Sequence, residues 1–280
     1  HLYRQKAERL KASFNAKLFN PNTGLYVDAP GSAHSSLHAN AIPLYFGLVP
    51  PERIPPVIEL IRTKRLSCGC YIAPFVIEAC FNAGASDLGI DLLRSKDERS
   101  WAEMLRHGAT TCMEAWGPDQ KWNTSWCHPW SSSPIFLITE RLVGLRPGTK
   151  GWTSVQFSPH IPQDIDWIHF HMTVPVGRIL LKYSRQEGFS LSLPPGINVY
   201  MDDELKQTVQ VTHSPSHAVR RLSPGEMECL QKHHWEKFVG QRAGVWVSVQ
   251  DQMFRLVQEG SVLWETPCST AAAGVGNLIN

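Results

Sequence analysis

Gly108-Ala-Thr-Thr-Cys-Met-Glu-Ala-Trp116, followed after a polar loop by Asn123-Thr-Ser-Trp-Cys-His-Pro-Trp-Ser-Ser-Ser133, decides how this chain is read. An acid, an imidazole, several hydroxyls and Trp116, Trp122, Trp126 and Trp130 fall together between two segments of helical pattern. Such a patch suits a sugar, because aromatic faces stack on the C–H face of a pyranose while polar groups take its hydroxyls.

Outward from that stretch, residues 1 to about 147 carry a helical period broken by short turns. Tyr3, Ala7, Leu10, Phe14 and Leu18 recur every three or four positions, so the chain reads as beginning inside a folded domain. Leu18 to Leu25 reads as a loop because Asn-Pro and Thr-Gly are turn formers. Helices are expected over Ser35 to Leu48 with a serine cap, Arg53 to Lys64, and Ile72 to Asn82 with Pro74 in its first turn. Ser86 to Leu93, Ser100 to Arg106, and Ser131 to Val143 with Gly144 as its stop complete the helical set. Short connections make such helices antiparallel neighbours.

Past Gly144-Leu-Arg-Pro-Gly148 the period changes from helical to alternating. Short strands are expected around Trp152–Phe157, Ile165–Thr173, Gly177–Tyr183, Phe189–Leu193 and Asn198–Met201. They predict a small antiparallel β domain, a sandwich or part of one. Ser223 with Glu226 three residues on predicts a capped amphipathic helix to Trp235, and the tail from Val245 to Cys268 reads as a β-hairpin.

The opening stretch resembles glycoside hydrolase family 78, the α-L-rhamnosidases. Its members carry Gly-Ala-Thr-Thr-x-x-Glu and then Ser-x-x-His opening the next helix, matched by Gly108 to Glu114 and Ser125 to His128. The resemblance implies the C-terminal part of an (α/α)6 six-hairpin toroid over residues 1–147, a C-terminal β-sandwich domain over 148–215, and inverting hydrolysis of terminal α-L-rhamnosides. It assigns Glu114 as general base and His128 as a wall of the sugar pocket. Trp116, close behind Glu114, and Trp126 are expected to stack on the sugar, and His38 and Asn40 to hold substrate or order Glu114. The family's general acid sits in an earlier Asp-Arg-Asp/Glu-x-x-Gly-Trp type of segment that is absent here, so this polypeptide is expected to be a fragment with little activity alone.

Inversion needs one carboxylic acid and one carboxylate about 6.5–9.5 Å apart. Apolar neighbours are expected to raise the pKa of Glu114 and strengthen it as a base. Alternatively Glu114 caps a loop or pairs with Arg106 or Lys121. Each of the other candidates also has a structural reading: His128 as a core histidine, His38 and Asn40 as capping and interhelical groups, two of the tryptophans as core, and Glu78 as a satisfied buried carboxylate. Asp119 and Lys121 in the polar loop either edge the pocket or, the expected case, are solvated.

The tail beyond a helical linker at 216–244 bears a weaker resemblance, over 245–280, to the start of an L,D-transpeptidase domain. Val249-Gln-Asp-Gln252, Gly260 and Ser269-Thr270 to Gly274 carry it. An exported bacterial protein is weakly implied, whereas free thiols among the seven cysteines point the other way. A formal net charge of +2 without a basic block excludes an electrostatic case for nucleic acid, and no apolar run is long enough to span a bilayer. Cys68-Gly-Cys70 is too tight for a zinc site and no nucleotide loop occurs, so neither metal nor cofactor is expected. The expected partner is a rhamnose-containing glycoside or polysaccharide, with oligomeric state open. Two other functions stay open: a carbohydrate-binding or cell-wall-attachment module, and another six-hairpin glycosidase of glucoamylase-like type.

Overall fold

The computed structural model describes residues 2–214 and three strands at 244–248, 253–258 and 261–267, these last by their backbone. The chain divides into two compact units, His1–Leu137 and Ile138–Asn280.

The first unit is helical. α1 (Leu2–Lys17) leaves Leu2, Tyr3 and Leu10 exposed, while Phe14 stacks on Tyr26 at 4.6 Å. The loop expected after it contains a minimal antiparallel pair, β1 (Phe19–Asn20) and β2 (Leu25–Tyr26). α2 (Leu37–Tyr45) starts where the Ser36 hydroxyl accepts from the Ala39 N–H, satisfying one of the amides that a helix start leaves over. α3 (Ile54–Lys64) follows a single 3-10 turn and carries prolines in its first turn, where no intrahelical donor is lost.

α4 (Ala73–Asn82) is the most enclosed helix, with Ala73, Val76, Ile77, Ala79, Cys80 and Phe81 all buried. A helix this apolar belongs inside, Glu78 being its one buried charged residue, and α4 packs against α2 and against α5 (Ser86–Leu93). α6 (Trp101–Arg106) is capped by Ser100, whose hydroxyl accepts from the Glu103 N–H. The helix expected over Ser131–Val143 is only partly regular. A 3-10 turn at Pro129–Ser131 precedes α7 (Pro134–Leu137), and Ile138–Leu142 winds as a π turn, with Val143 N–H donating to the Ile138 carbonyl at 2.8 Å. Gly144 ends it at φ 77°, and a Cβ there would lie 2.3 Å from the Ser158 backbone.

The second unit is built from β3 (Leu145–Pro147), β4 (Ser154–Phe157), β5 (Trp167–Val174), β6 (Gly177–Ser184), β7 (Gly188–Leu193), β8 (Asn198–Tyr200), α8 (Asp203–Thr208), β9 (Gln210–His213), β10 (Gly244–Ser248), β11 (Met253–Gln258) and β12 (Ser261–Pro267). One sheet runs β12-β11-β10-β5-β6-β7-β9 and a second runs β3-β4-β8. Trp167, Ile168 and Phe170 of β5, Ile179 and Leu181 of β6, and Leu191 and Leu193 of β7 are buried. On β6 and β7 these alternate along the strand, as a half-buried pleat requires.

Two expectations are corrected here. The β domain is mixed, not purely antiparallel: β7 and β9, β4 and β8, and β5 and β10 pair in parallel. Between β7 and β9 the chain passes through β8 and α8 and returns in its original direction, the long crossover that parallel pairing needs. The hairpin expected over Val245–Cys268 is present as the antiparallel pair β11 and β12, but it is not a separate element: with β10 it extends the same sheet, through the pairing of β10 with β5. The helix expected at Ser223–Trp235, most of the linker at 216–244 and the Ser269–Gly274 pattern lie outside the described residues.

Candidate functional site

Ser100 and the capped α6 aim the chain toward Gly108, whose φ of 80° turns it into an extended loop. That loop pairs with the second motif segment. Glu114 N–H donates to the Ser125 carbonyl at 2.8 Å, His128 N–H to the Cys112 carbonyl at 2.8 Å, and the Thr111 hydroxyl to the Trp126 carbonyl at 3.3 Å. Ser131, fully buried, bonds from its hydroxyl to the carbonyls of Met113 and His128, and its own carbonyl accepts from the Trp101 indole at 2.7 Å. Residues 111–114 and 125–131 are thereby tied together, with Ser131 making the buried bonds between them.

Glu114 stands at its centre, with 12% of its side chain exposed. One carboxylate oxygen, Oε1, carries the Lys121 ammonium, and Oε2 accepts the Ser125 N–H at 3.1 Å. Its carbonyl accepts the Cys70 thiol at 2.9 Å and the Trp130 indole at 3.3 Å. The expected rise in the Glu114 pKa is therefore corrected. The Lys121 hydrogen bond, followed by the Ser125 N–H, holds this carboxyl below the ordinary glutamate value, and burial opposes them without prevailing. Arg106, the other partner considered, pairs instead with Glu103.

His128 is half-buried, and its ring packs against Trp130 at 4.1 Å. Trp130 also meets Tyr71 at 5.3 Å, and these two rings keep 41% and 54% of their surface exposed. Glu114, Lys121, His128, Trp130 and Tyr71 therefore form one cluster: a clamped carboxylate beside an imidazole and two accessible aromatic rings. Such a set can activate a water and stack on a sugar.

Trp116 does not belong to it. It is 1% exposed, donates its indole N–H to the Cys68 carbonyl at 2.7 Å and meets Trp101 edge-on at 5.0 Å. No face is left for a sugar, so the stacking role expected for Trp116 is corrected to a core role. Asn40 is corrected likewise. Its fully buried amide accepts from the Tyr26 N–H and donates to the Tyr26 and Ser36 carbonyls, each at 2.9 Å, tying α2 to β2. His38 is exposed at the second position of α2, and among the described residues no hydrogen bond or ring contact joins it to the Glu114 cluster. Trp126 is exposed next to the cluster, Trp122 stands 95% exposed on the loop, and Glu78 is buried in α4.

Sequence reasoning offered Lys121 both as a solvated residue and as a partner of Glu114, and the pairing is the one observed; it had no signal for Tyr71, which reaches Trp130 from a segment about 60 residues earlier. A cation seven positions after an acid is visible in the sequence; that the 3-10 turn at Pro118–Gln120 folds it back is not. Among the described residues, no three or more His, Cys, Asp or Glu gather to hold a metal ion, and no helix is long and apolar enough to cross a membrane.

Comparison with known proteins places these observations. The profile of the bacterial alpha-L-rhamnosidase 6 hairpin glycosidase domain matches residues 1–142, and that of the bacterial alpha-L-rhamnosidase C-terminal domain matches residues 144–214. An alpha-L-rhamnosidase of Alteromonas sp. (strain LOR) is 21% identical over 70% of this chain and 22% of its own length. Among solved structures, the alpha-L-rhamnosidase from Dictyoglumus thermophilum aligns with a TM-score of 0.62 at 21% identity, covering 71% of this chain and 23% of that one. The GH78 rhamnosidase of Bacillus sp. GL1 aligns at 0.61 with 24% identity, covering 76% and 24%. The Streptomyces avermitilis alpha-L-rhamnosidase complexed with L-rhamnose aligns at 0.58 with 19% identity, covering 71% and 20%. The chain thus spans less than a quarter of the length of these relatives, and the structural likenesses bear on fold alone. With half of its residues matched by the first profile and the β unit by the second, the chain belongs to the bacterial alpha-L-rhamnosidase family, as a six-hairpin glycosidase region followed by the C-terminal β domain.

Proposed function

We propose that Glu114 is the general base of a glycoside hydrolase that cleaves terminal α-L-rhamnosides with inversion. The observation carrying this is the Glu114 carboxylate, clamped by Lys121 and the Ser125 N–H, beside His128 and the accessible Trp130 and Tyr71 rings. Glu114 takes the proton of an attacking water, His128 holds a sugar hydroxyl, and Trp130 with Tyr71 supplies the stacking face, with Trp126 at the rim. Membership of the bacterial alpha-L-rhamnosidase family supports this sugar for the pocket. Residues up to about 147 carry the chemistry and the β part from 148 is support. The general acid comes from outside these 280 residues, so the chain alone turns over little substrate.

Glu114→Gln, made in the longer protein, tests the assignment. Removing a positioned base commonly costs about 10²- to 10⁴-fold in rate, so hydrolysis of an aryl α-L-rhamnoside falls by that factor while the fold and sugar affinity persist. Proton NMR of the first-formed sugar anomer reads inversion directly. A Gln variant that hydrolyses at the parent's rate rejects Glu114 as the base; a parent that binds the aryl α-L-rhamnoside and never hydrolyses it indicates a binding module.

A further inference from the structure

We propose that Lys121 is the positioning residue of this site, a cation seated on one oxygen of the Glu114 carboxylate that fixes the direction of its free lone pairs. The inference rests on Glu114 being the base. A carboxylate offers about four lone-pair positions, and here Lys121 occupies one on Oε1 and the Ser125 N–H one on Oε2. What remains for water is about one lone-pair position on each oxygen, on a side chain whose backbone is also bonded at both its N–H and its carbonyl.

The loop is built to return Lys121 to that oxygen. Pro118–Gln120 forms a 3-10 turn, and the Lys121 carbonyl accepts both the N–H and the hydroxyl of Thr124, at 3.1 and 2.6 Å. The groups facing Glu114 are Lys121 from this loop, His128 from the second segment and the Cys70 thiol from the segment before α4. Burial pushes that thiol up to about 11, so it stays neutral at working pH. Lys121 is thus the charged partner that touches the carboxylate, and the weaker electrostatic pull of His128 acts in the same direction.

A cation on a base has two opposing effects. It keeps the carboxylate ionised further into acid, and it weakens the pull on the water proton. The sign follows: the folded-state pKa of Glu114 is depressed, so the ionised base is available above that value and is lost as pH falls through it. Without Lys121 the loss begins at higher pH.

The 280-residue chain, labelled at its glutamate carboxyl carbons, reports this without turnover. Glu114→Gln identifies the Glu114 resonance by its disappearance. Lys121→Met and Lys121→Gln are expected to move the Glu114 titration midpoint upward, and Lys121→Arg to keep it at the parent position, with near-UV circular dichroism unchanged throughout. In the longer protein the acidic limb of kcat should move with the Met variant and kcat should fall about tenfold, a fraction of what a positioned base contributes, while KM holds and Arg restores the rate. A Met variant with an unmoved carboxyl midpoint overturns the role of Lys121 whatever the activity. A moved midpoint in a protein for which Glu114→Gln leaves turnover intact upholds the pairing and rejects Glu114 as the base.

Discussion

Replacing Trp116 by Phe separates a core tryptophan from a sugar platform. The substitution keeps an aromatic ring near Trp101 and removes the indole N–H that bonds the Cys68 carbonyl at 2.7 Å. Trp116 is 1% exposed, so water does not replace that donor, and an unsatisfied buried carbonyl costs about 1–3 kcal/mol. The smaller ring leaves a void that adds about 1 kcal/mol at roughly 24 cal/mol per Å³. The two together give a loss of about 2–4 kcal/mol, a large share of the ~5–15 kcal/mol that holds an ordinary domain together. For a unit of this size the helical melting transition falls by roughly 5–15 °C. Thermal unfolding followed by far-UV circular dichroism, with L-rhamnose binding by calorimetry below the transition, reads both consequences. An unchanged melt together with lost rhamnose affinity would refute the core assignment and return Trp116 to the pocket.

Asn40→Ala leaves both backbone groups of buried Tyr26 without their amide partner, so the helical unit is expected to lose about 2–4 kcal/mol; chemical denaturation checks it, and a normal midpoint with weakened sugar binding points instead to a pocket role. Burial drives Cys68 and Cys80 up to about 12 and Cys70 up to about 11, and the thiolate is the reactive form. Among the described cysteines, Cys127, exposed beside His128, is therefore labelled by a thiol reagent before those three, which react only on unfolding; mass spectrometry of a labelling time course decides the order.

The helical elements were legible because their signals are local. A serine before an apolar period and prolines in a first turn act through neighbours one to four residues away, and α3, α4, α5 and α6 lie within a residue of their expected bounds. The irregular end of the last helix was not legible, because a π turn differs from an α turn in one hydrogen bond and not in apolar period. Strand direction in the β unit escaped for a different reason. Alternation marks a strand's faces, but whether β7 meets its neighbour in parallel depends on where α8 and β8 carry the chain in between.

The site divides along the same line. Four tryptophans within fifteen residues are equivalent as letters, yet Trp116 is sealed in the core while Trp122 stands almost wholly in solvent. Glu114 shows the point for charge. Its apolar neighbours in sequence argue for a raised pKa, and the lysine and amide brought onto its oxygens reverse the sign. Tyr71 joins through space from a segment with no motif of its own.

By itself the sequence determined the family and the change from helices to strands near Gly144, since each rests on residue type and short-range spacing. Only the tertiary structure decided which aromatic rings face solvent, which cation sits on Glu114 and therefore which way its proton affinity moves, because burial and charge pairing depend on distances between side chains that chain order does not set.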